Sequence, residues 1–263
     1  MAIIWDPDKY VGQFYAPDRR DDTTMAWLIG ELADWPGGGH ALDLGTGVTV
    51  AYWAAAAAVV DQITLADYTP AYLAIQRSWI EDATGAPDWS NYIGMALRYA
   101  GLPSDAAAVA QRAALARARV AGLMPCDLTR PDPLGAAHRG RYDLVLGLYC
   151  AESIAGSRVE WRGWMRHAFS LLRPGGRYIG AALGNCSYYC VGAQRFGHIP
   201  VSAGDYRAVM LEYGFAATDL RITTVPEQFP DDAELARQMR AVYGYDETIF
   251  AAGRLTEAPD AAR

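Results

Sequence analysis

Apolar residues gather along this chain in short runs separated by stretches of helical spacing. Residues 40–44, 62–66 and 142–148 are compact apolar segments, the last nearly continuous, as in strands that a parallel sheet buries on both faces. Residues 120–126, 177–182, 215–225 and 248–255 supply four further strand-like runs. Between them the spacing predicts helices. One starts at Thr23 or Thr24, which could cap it, and runs through 34 until Pro36-Gly37-Gly38-Gly39 stops it. An alanine-rich helix covers 49–59, able to pack close to a sheet, and another covers 70–82 with Pro70 at its first position. A helix at 159–172 ends before Arg173-Pro174-Gly175-Gly176, and Ser202 caps one that runs to 213 and stops at Gly214. Seven strands alternating with helices predict an α/β fold, a doubly wound sheet with helices on both faces. Residues 1–263 read as one domain, with 1–39 an N-terminal helical lid and 83–120 a helical insert (90–100 and 105–119); the tail after 256 reads as frayed.

The first strand ends in Asp43 and breaks into the turn Gly45-Thr46-Gly47; the second ends in Asp67, twenty-four residues after Asp43. A strand, glycine turn, helix, strand and terminal acid form half of a nucleotide-binding unit, in which the glycines admit a ligand to the backbone and the acid accepts two ribose hydroxyls. Val50 stands where a dinucleotide fingerprint wants its third Gly or Ala, which disfavours a nicotinamide oxidoreductase. A capping role for Asp67 ahead of Pro70, a turn role for Asp127 and a bracing role for Asp43 remain open beside ligand binding.

The 263 residues carry a net charge of −7 without a Lys/Arg block, so no nucleic-acid partner is expected. The longest apolar run, 51–60, is about half a membrane span, so no membrane partner is expected either. The start Met1-Ala2-Ile3-Ile4-Trp5-Asp6 lacks the pattern of a secretory signal, which predicts a cytoplasmic protein whose four cysteines stay reduced. Their spacing does not suit a metal site, and none is expected.

Asp43-Leu-Gly-Thr-Gly and Leu171-Leu-Arg-Pro-Gly-Gly176, with the seven strands, resemble a class I S-adenosylmethionine (SAM) methyltransferase, whose sheet is Rossmann-like. Gly45-Thr-Gly-Val-Thr49, Asp67-Tyr68, Asp88-Trp89-Ser90, Cys126-Asp127-Leu-Thr129 and, above all, Ser187-Tyr188-Tyr189-Cys-Val-Gly192 with Gln194-x-Phe196 resemble the nicotinamide/phenylethanolamine/thioether methyltransferase group. The resemblance implies SAM as methyl donor, S-adenosylhomocysteine as product and a small-molecule acceptor, on a monomer or homodimer.

It further implies that Tyr10 and Tyr15 close over the methionine part of SAM, and that Gly45, Thr46, Gly47 and Thr49 hold its amino-acid end. Asp67 would take the ribose with Tyr68 beside the adenine, and Asp127 and Leu128 would border the adenine. Leu148 and Tyr149 would line the sulfonium, and Tyr189 would pack on the acceptor. Tyr72 stands where the group has an asparagine. Ala182 stands where its amine and pyridine enzymes carry an acid, which favours an uncharged, electron-rich acceptor of indole type, methylated on carbon or nitrogen in specialised metabolism. His198 and Glu152, with Tyr15, are the candidate catalytic residues, and Ala182, Tyr189, His198 and Glu247 the candidate acceptor-binding ones. The alternatives are N-methylation of a small amine whose charge Glu152 or Glu247 meets, and a SAM-binding module without catalysis.

Overall fold

The computed structural model describes residues 5–227 and 231–256; the tail expected to fray lies outside them. Helix α1 (Pro7–Phe14) starts behind Asp6, whose carboxylate accepts from the amides of Asp8 and Lys9. Helix α2 (Thr23–Leu32) is capped by Asp22, which accepts from the Met25 amide at 2.8 Å; neither Thr23 nor Thr24 is the cap. Then follow β1 (His40–Leu44), α3 (Ala51–Ala56), β2 (Gln62–Asp67) and α4 (Pro70–Ile80). Helices α5 (Ser90–Tyr99) and α6 (Ala106–Arg119) lead to β3 (Val120–Pro125) and β4 (Tyr142–Leu148). The single turn α7 (Ala151–Ile154), α8 (Arg158–Phe169) and β5 (Leu172–Leu183) precede a hairpin of β6 (Tyr188–Val191) and β7 (Gln194–Gly197). The described chain closes with α9 (Ala203–Glu212), β8 (Arg221–Pro226), α10 (Ala233–Tyr243) and β9 (Glu247–Arg254).

Seven strands form one sheet in the order β3-β2-β1-β4-β5-β9-β8. The first five pair in parallel, and β9 runs antiparallel to both of its neighbours. This is the mixed, Rossmann-like sheet that the sequence resemblance implied. Strand order reverses between β1 and β4, so a crevice opens past their C-terminal ends, where open α/β sheets bind ligands.

Two apolar clusters clamp the sheet. On one face α8 and α9 bury Trp161, Phe169 and Tyr206; on the other α2, α3 and α5 bury Met25, Leu28, Trp53 and Ile93. Two expected appendages are thereby partly core: α2 of the 1–39 segment and α5 of the 83–120 segment both pack in the second cluster. Three elements carry no sequence expectation: α7, the hairpin and α10. Strand β5 begins five residues earlier than expected, with a register shift against β4 between Tyr142 and Leu144. Among the described residues, no helix is long and apolar enough to cross a membrane.

Candidate active site

The turn after β1 is held by two backbone bonds, from the Gly45 and Thr46 amides to the Ala66 carbonyl at 2.8 and 3.0 Å. Gly45 has φ +72, and a Cβ built on it would lie 2.3 Å from Cys150 Sγ, so both conformation and space demand glycine. Asp67 closes β2 and braces this turn. Its Oδ2 accepts from the Gly47 amide at 2.8 Å and its Oδ1 from the Thr69 amide at 2.7 Å. It is 8% exposed, and burial raises its carboxyl pKa above the ordinary value. The Thr69 hydroxyl and the Tyr68 amide also donate to it, so the carboxylate braces the turn while standing in a cavity wall. Asp43, deeper at the strand end, is pushed up to about 7 by burial, with the charge of Asp67 adding to the effect.

Three cavities meet past this turn, and Trp5 and Tyr149 line all of them. The first, about 320 Å³, has Gly45, Gly47, Asp67, Tyr68, Tyr72, Asp127 and Leu128 in its wall. Asp127 also accepts from the Thr129 amide and hydroxyl at 3.1 and 2.6 Å, the turn role left open above. The second is a pocket of about 60 Å³ against Asp43, Thr46, Thr49, Leu148, Tyr10 and Tyr15. There Thr46 Oγ1 is buried without a hydrogen-bond partner of normal geometry. The third, about 570 Å³, is walled by Tyr10, Phe14, Tyr15, Tyr52, Tyr149 and Tyr189, with Arg19, Asp21, Asp22, Thr24, Glu227 and Tyr245 among its polar residues.

Aromatic packing shapes the walls between these cavities. The Trp5 ring is sandwiched between Tyr10 (centroids 4.1 Å, 8°) and Tyr72 (4.5 Å, 16°). The Tyr72 hydroxyl accepts from the Trp5 amide at 2.9 Å, so the residue standing in place of asparagine anchors the lid. Tyr149 follows β4 with φ +57, a conformation costly for a residue with Cβ and common at functional sites. Its amide bonds the Ala181 carbonyl at 2.7 Å and its hydroxyl meets Thr24 Oγ1 at 2.6 Å, which fixes the ring where the three cavities join. Tyr189, on β6, stacks on Phe196 at 5.4 Å.

The candidate catalytic and acceptor residues divide. Tyr15 and Tyr189 line the third cavity, whereas His198, Glu152, Glu247 and Ala182 line none of the three found among the described residues. His198 is buried at the neck of the hairpin, where Nδ1 faces the Ile199 and Cys186 carbonyls at 2.9 and 3.3 Å; burial pushes it down to about 4. Glu152 is 1% exposed, accepts from the Tyr206 hydroxyl at 3.4 Å and is pushed up to about 8 by burial. Its other oxygen is buried without a partner. Glu247 Oε1 accepts from the Asn185 side chain at 3.0 Å, and Ala182 is wholly enclosed in the core.

Sequence reasoning passed over Trp5, Asp22, Thr24, Trp164 and Glu227, all of which line the cavities. Asp22 was the legible one, an acid immediately ahead of a helix. It is 3% exposed, and the Tyr52 hydroxyl donates to its two oxygens at 3.4 and 3.3 Å. Glu227 follows β8, and burial raises its carboxyl, with Arg19 opposing and Asp22 reinforcing the shift.

Comparison with known proteins bears on this geometry. The NNMT/PNMT/TEMT family matches residues 3–231. Phenylethanolamine N-methyltransferase of Rattus norvegicus is 27% identical over 233 residues, spanning 84% of this chain and 81% of its own. Indolethylamine N-methyltransferase of Mus musculus is 30% identical over 160 residues, 61% of this chain and 60% of its own. Among solved structures, Burkholderia thailandensis 1,6-didemethyltoxoflavin-N1-methyltransferase, with 1,6-didemethyltoxoflavin and S-adenosylhomocysteine bound, superposes with a TM-score of 0.53 over 98% of this chain and 93% of its own. At 16% identity that likeness concerns the fold.

Proposed function

The chain belongs to the NNMT/PNMT/TEMT family, and from that membership we propose that it methylates the nitrogen of a small amine bearing an aromatic or heteroaromatic ring. It is a SAM-dependent methyltransferase, and its acceptor is a small molecule. The relatives named above are N-methyltransferases of phenylethanolamine and indolethylamine. The observation that carries the finer reading is the third cavity, where tyrosine and phenylalanine rings enclose two carboxylates, Asp22 and Glu227, against the Arg19 cation, 3.9 Å from Asp22. Rings bury an aromatic acceptor, and carboxylates offset the charge of an ammonium group. The expectation of an uncharged acceptor rested on Ala182. That residue lies in the core, while acids reach the cavity from the start of α2 and the end of β8.

The residues of the other two cavities suit SAM. A buried threonine hydroxyl beside Asp43, a glycine cradle and a strand-end carboxylate in the cavity wall match an amino-acid end, a close-packed backbone approach and a ribose. In this reading Asp67 holds the ribose, Asp127 and Leu128 border the adenine, Gly45 and Thr46 hold the amino-acid end, and Tyr10 and Tyr15 close over it. SAM supplies a methyl group already activated by its sulfonium. The protein therefore has to align the acceptor, exclude water and handle one proton; alignment can be worth about 7–11 kcal/mol. Tyr149 stands where donor and acceptor cavities join and directs the approach. Asp22 and Glu227 bind the ammonium form. The nitrogen must lose a proton before it attacks, and Glu227, its carboxyl raised by burial, is the acceptor at hand.

The test is transfer of isotope-labelled methyl from SAM to a panel of arylalkylamines, indolealkylamines and the same rings without an amine. Amines are expected to turn over, and Asp22→Asn, which keeps the cap and the Tyr52 contact, is expected to lower kcat/KM roughly 10- to 100-fold for them, the worth of one charged hydrogen bond. Turnover confined to rings without an amine would reject this reading in favour of the uncharged acceptor.

A further inference from the structure

Helix α1 roofs the cavities, yet none of its residues is fully buried. Trp5, Tyr10 and Phe14 pack with Tyr189, Val191 and Phe196 of the hairpin in a small cluster, and Tyr10 and Phe14 also touch the α2–α3–α5 cluster of the sheet. Stacked rings alone can slide, because dispersion has little directionality. Beside a side-chain hydrogen bond between Trp5 and Tyr189, one side-chain amide ties the helix itself to the hairpin backbone. Gln13 Nε2 donates to the Cys190 carbonyl at 2.9 Å, and Gln13 Oε1 accepts from the Gly192 amide at 2.9 Å. These two backbone groups flank Val191 at the hairpin tip, so Gln13 pairs with them as a neighbouring strand would. Only an amide offers donor and acceptor together at that reach: Glu lacks the donor at neutral pH, and Asn is one methylene short.

We propose that Gln13 is a positioning residue of methyl transfer, clipping the lid to the hairpin so that Trp5, Tyr10 and Tyr15 stay closed over the donor cavities while Tyr189 faces the acceptor. The proposal rests on the SAM reading of those cavities. Gln13 touches neither substrate in this scheme; it acts through the rings that its clip aligns. The clip adds two polar bonds to a helix that Tyr10, Val11 and Phe14 already seat against the core, so its loss weakens ligand holding and leaves the fold intact.

The test uses the full chain and S-adenosylhomocysteine, whose binding requires no acceptor, so failure of the amine reading leaves it valid. Gln13→Ala is expected to weaken S-adenosylhomocysteine about tenfold by calorimetry and raise KM for SAM equally, the worth of two net hydrogen bonds. The Tm and the kcat at saturation are expected to stay close to wild type. Gln13→Glu is expected to bind as poorly as Gln13→Ala at pH 8 and to recover about pH 4.5, where a protonated carboxyl donates again. Hydrogen exchange at the Gly192 amide is expected to accelerate in Gln13→Ala. Unchanged affinity in both variants, affinity lost only in step with Tm, or Gly192 exchange as slow as in wild type would each overturn the proposal.

Discussion

Glu152 makes the stability of this protein fall with rising pH across the neutral range. Its carboxyl is 1% exposed, and burial moves it from 4.5 in an open chain to about 8 in the fold. The folded protein thus keeps a proton that the unfolded chain releases between those values, and stability falls as pH rises from about 4.5 to about 8. At 1.36 kcal/mol for each pH unit of separation, the full effect is roughly 4–5 kcal/mol. Glu152→Gln removes the titration at nearly constant shape and leaves an amide to meet Tyr206. The two proteins are expected to melt together near pH 5, and the variant to melt roughly 10 °C higher at pH 8.5, at about 2–4 °C for each kcal/mol in a chain of this size. His198 shapes the opposite limb, because burial lowers it from 6.5 to about 4 and stability is lost as pH falls between those values. Thermal melts from pH 4 to 9 on both proteins read the whole curve. Melting curves that stay parallel with pH, or a variant less stable at pH 8.5, would refute a protonated, buried Glu152.

Two further outcomes follow from the turn after β1. Asp67→Ala leaves the Gly47 and Thr69 amides without their acceptor and removes the carboxylate proposed for the ribose; S-adenosylhomocysteine binding is expected to weaken roughly 100-fold or more by calorimetry, and unchanged affinity would reject the assignment of the donor cavity. Gly45→Ala sets a Cβ 2.3 Å from Cys150 Sγ at φ +72, so a loss of roughly 1–3 kcal/mol is expected in denaturant titration; adding Cys150→Ala is expected to relieve only part of it, because the Cys150 Cβ would still lie 2.8 Å away and the backbone strain persists.

Glu152 also shows where a linear reading stops. It follows β4 at the crevice, which marked it as a catalytic candidate. But α7 is a helical turn, and successive residues on a helix point about 100° apart. Ser153 consequently lines two cavities, while Glu152 turns back toward Tyr206 in the core. Ala182 lies on a strand, where neighbours alternate faces: Leu183 lines the third cavity and Ala182 does not. The hairpin and α10 left little trace in the apolar pattern. The strands of the hairpin are four residues each, and its packing rings come from distant α1.

What lay wholly in the sequence was local. His40–Leu44 and Tyr142–Leu148 were legible to the residue, because a strand buried on both faces must be apolar along its length. The Gly45–Gly47 turn and Asp67 were equally so, since positive φ and a strand-end acid leave few choices of residue. Ser202 announced α9 because an N-cap is satisfied within one turn, here completed by Asp205. The tertiary structure alone decided which carboxylates share the third cavity. Asp22 and Glu227 are 205 positions apart in the chain, and only the packing of α2 near the β5, β9 and β8 end of the sheet brings them to one wall. Sequence spacing sets which face of an element is apolar; it carries no term for the field of groups that meet only when the chain closes on itself.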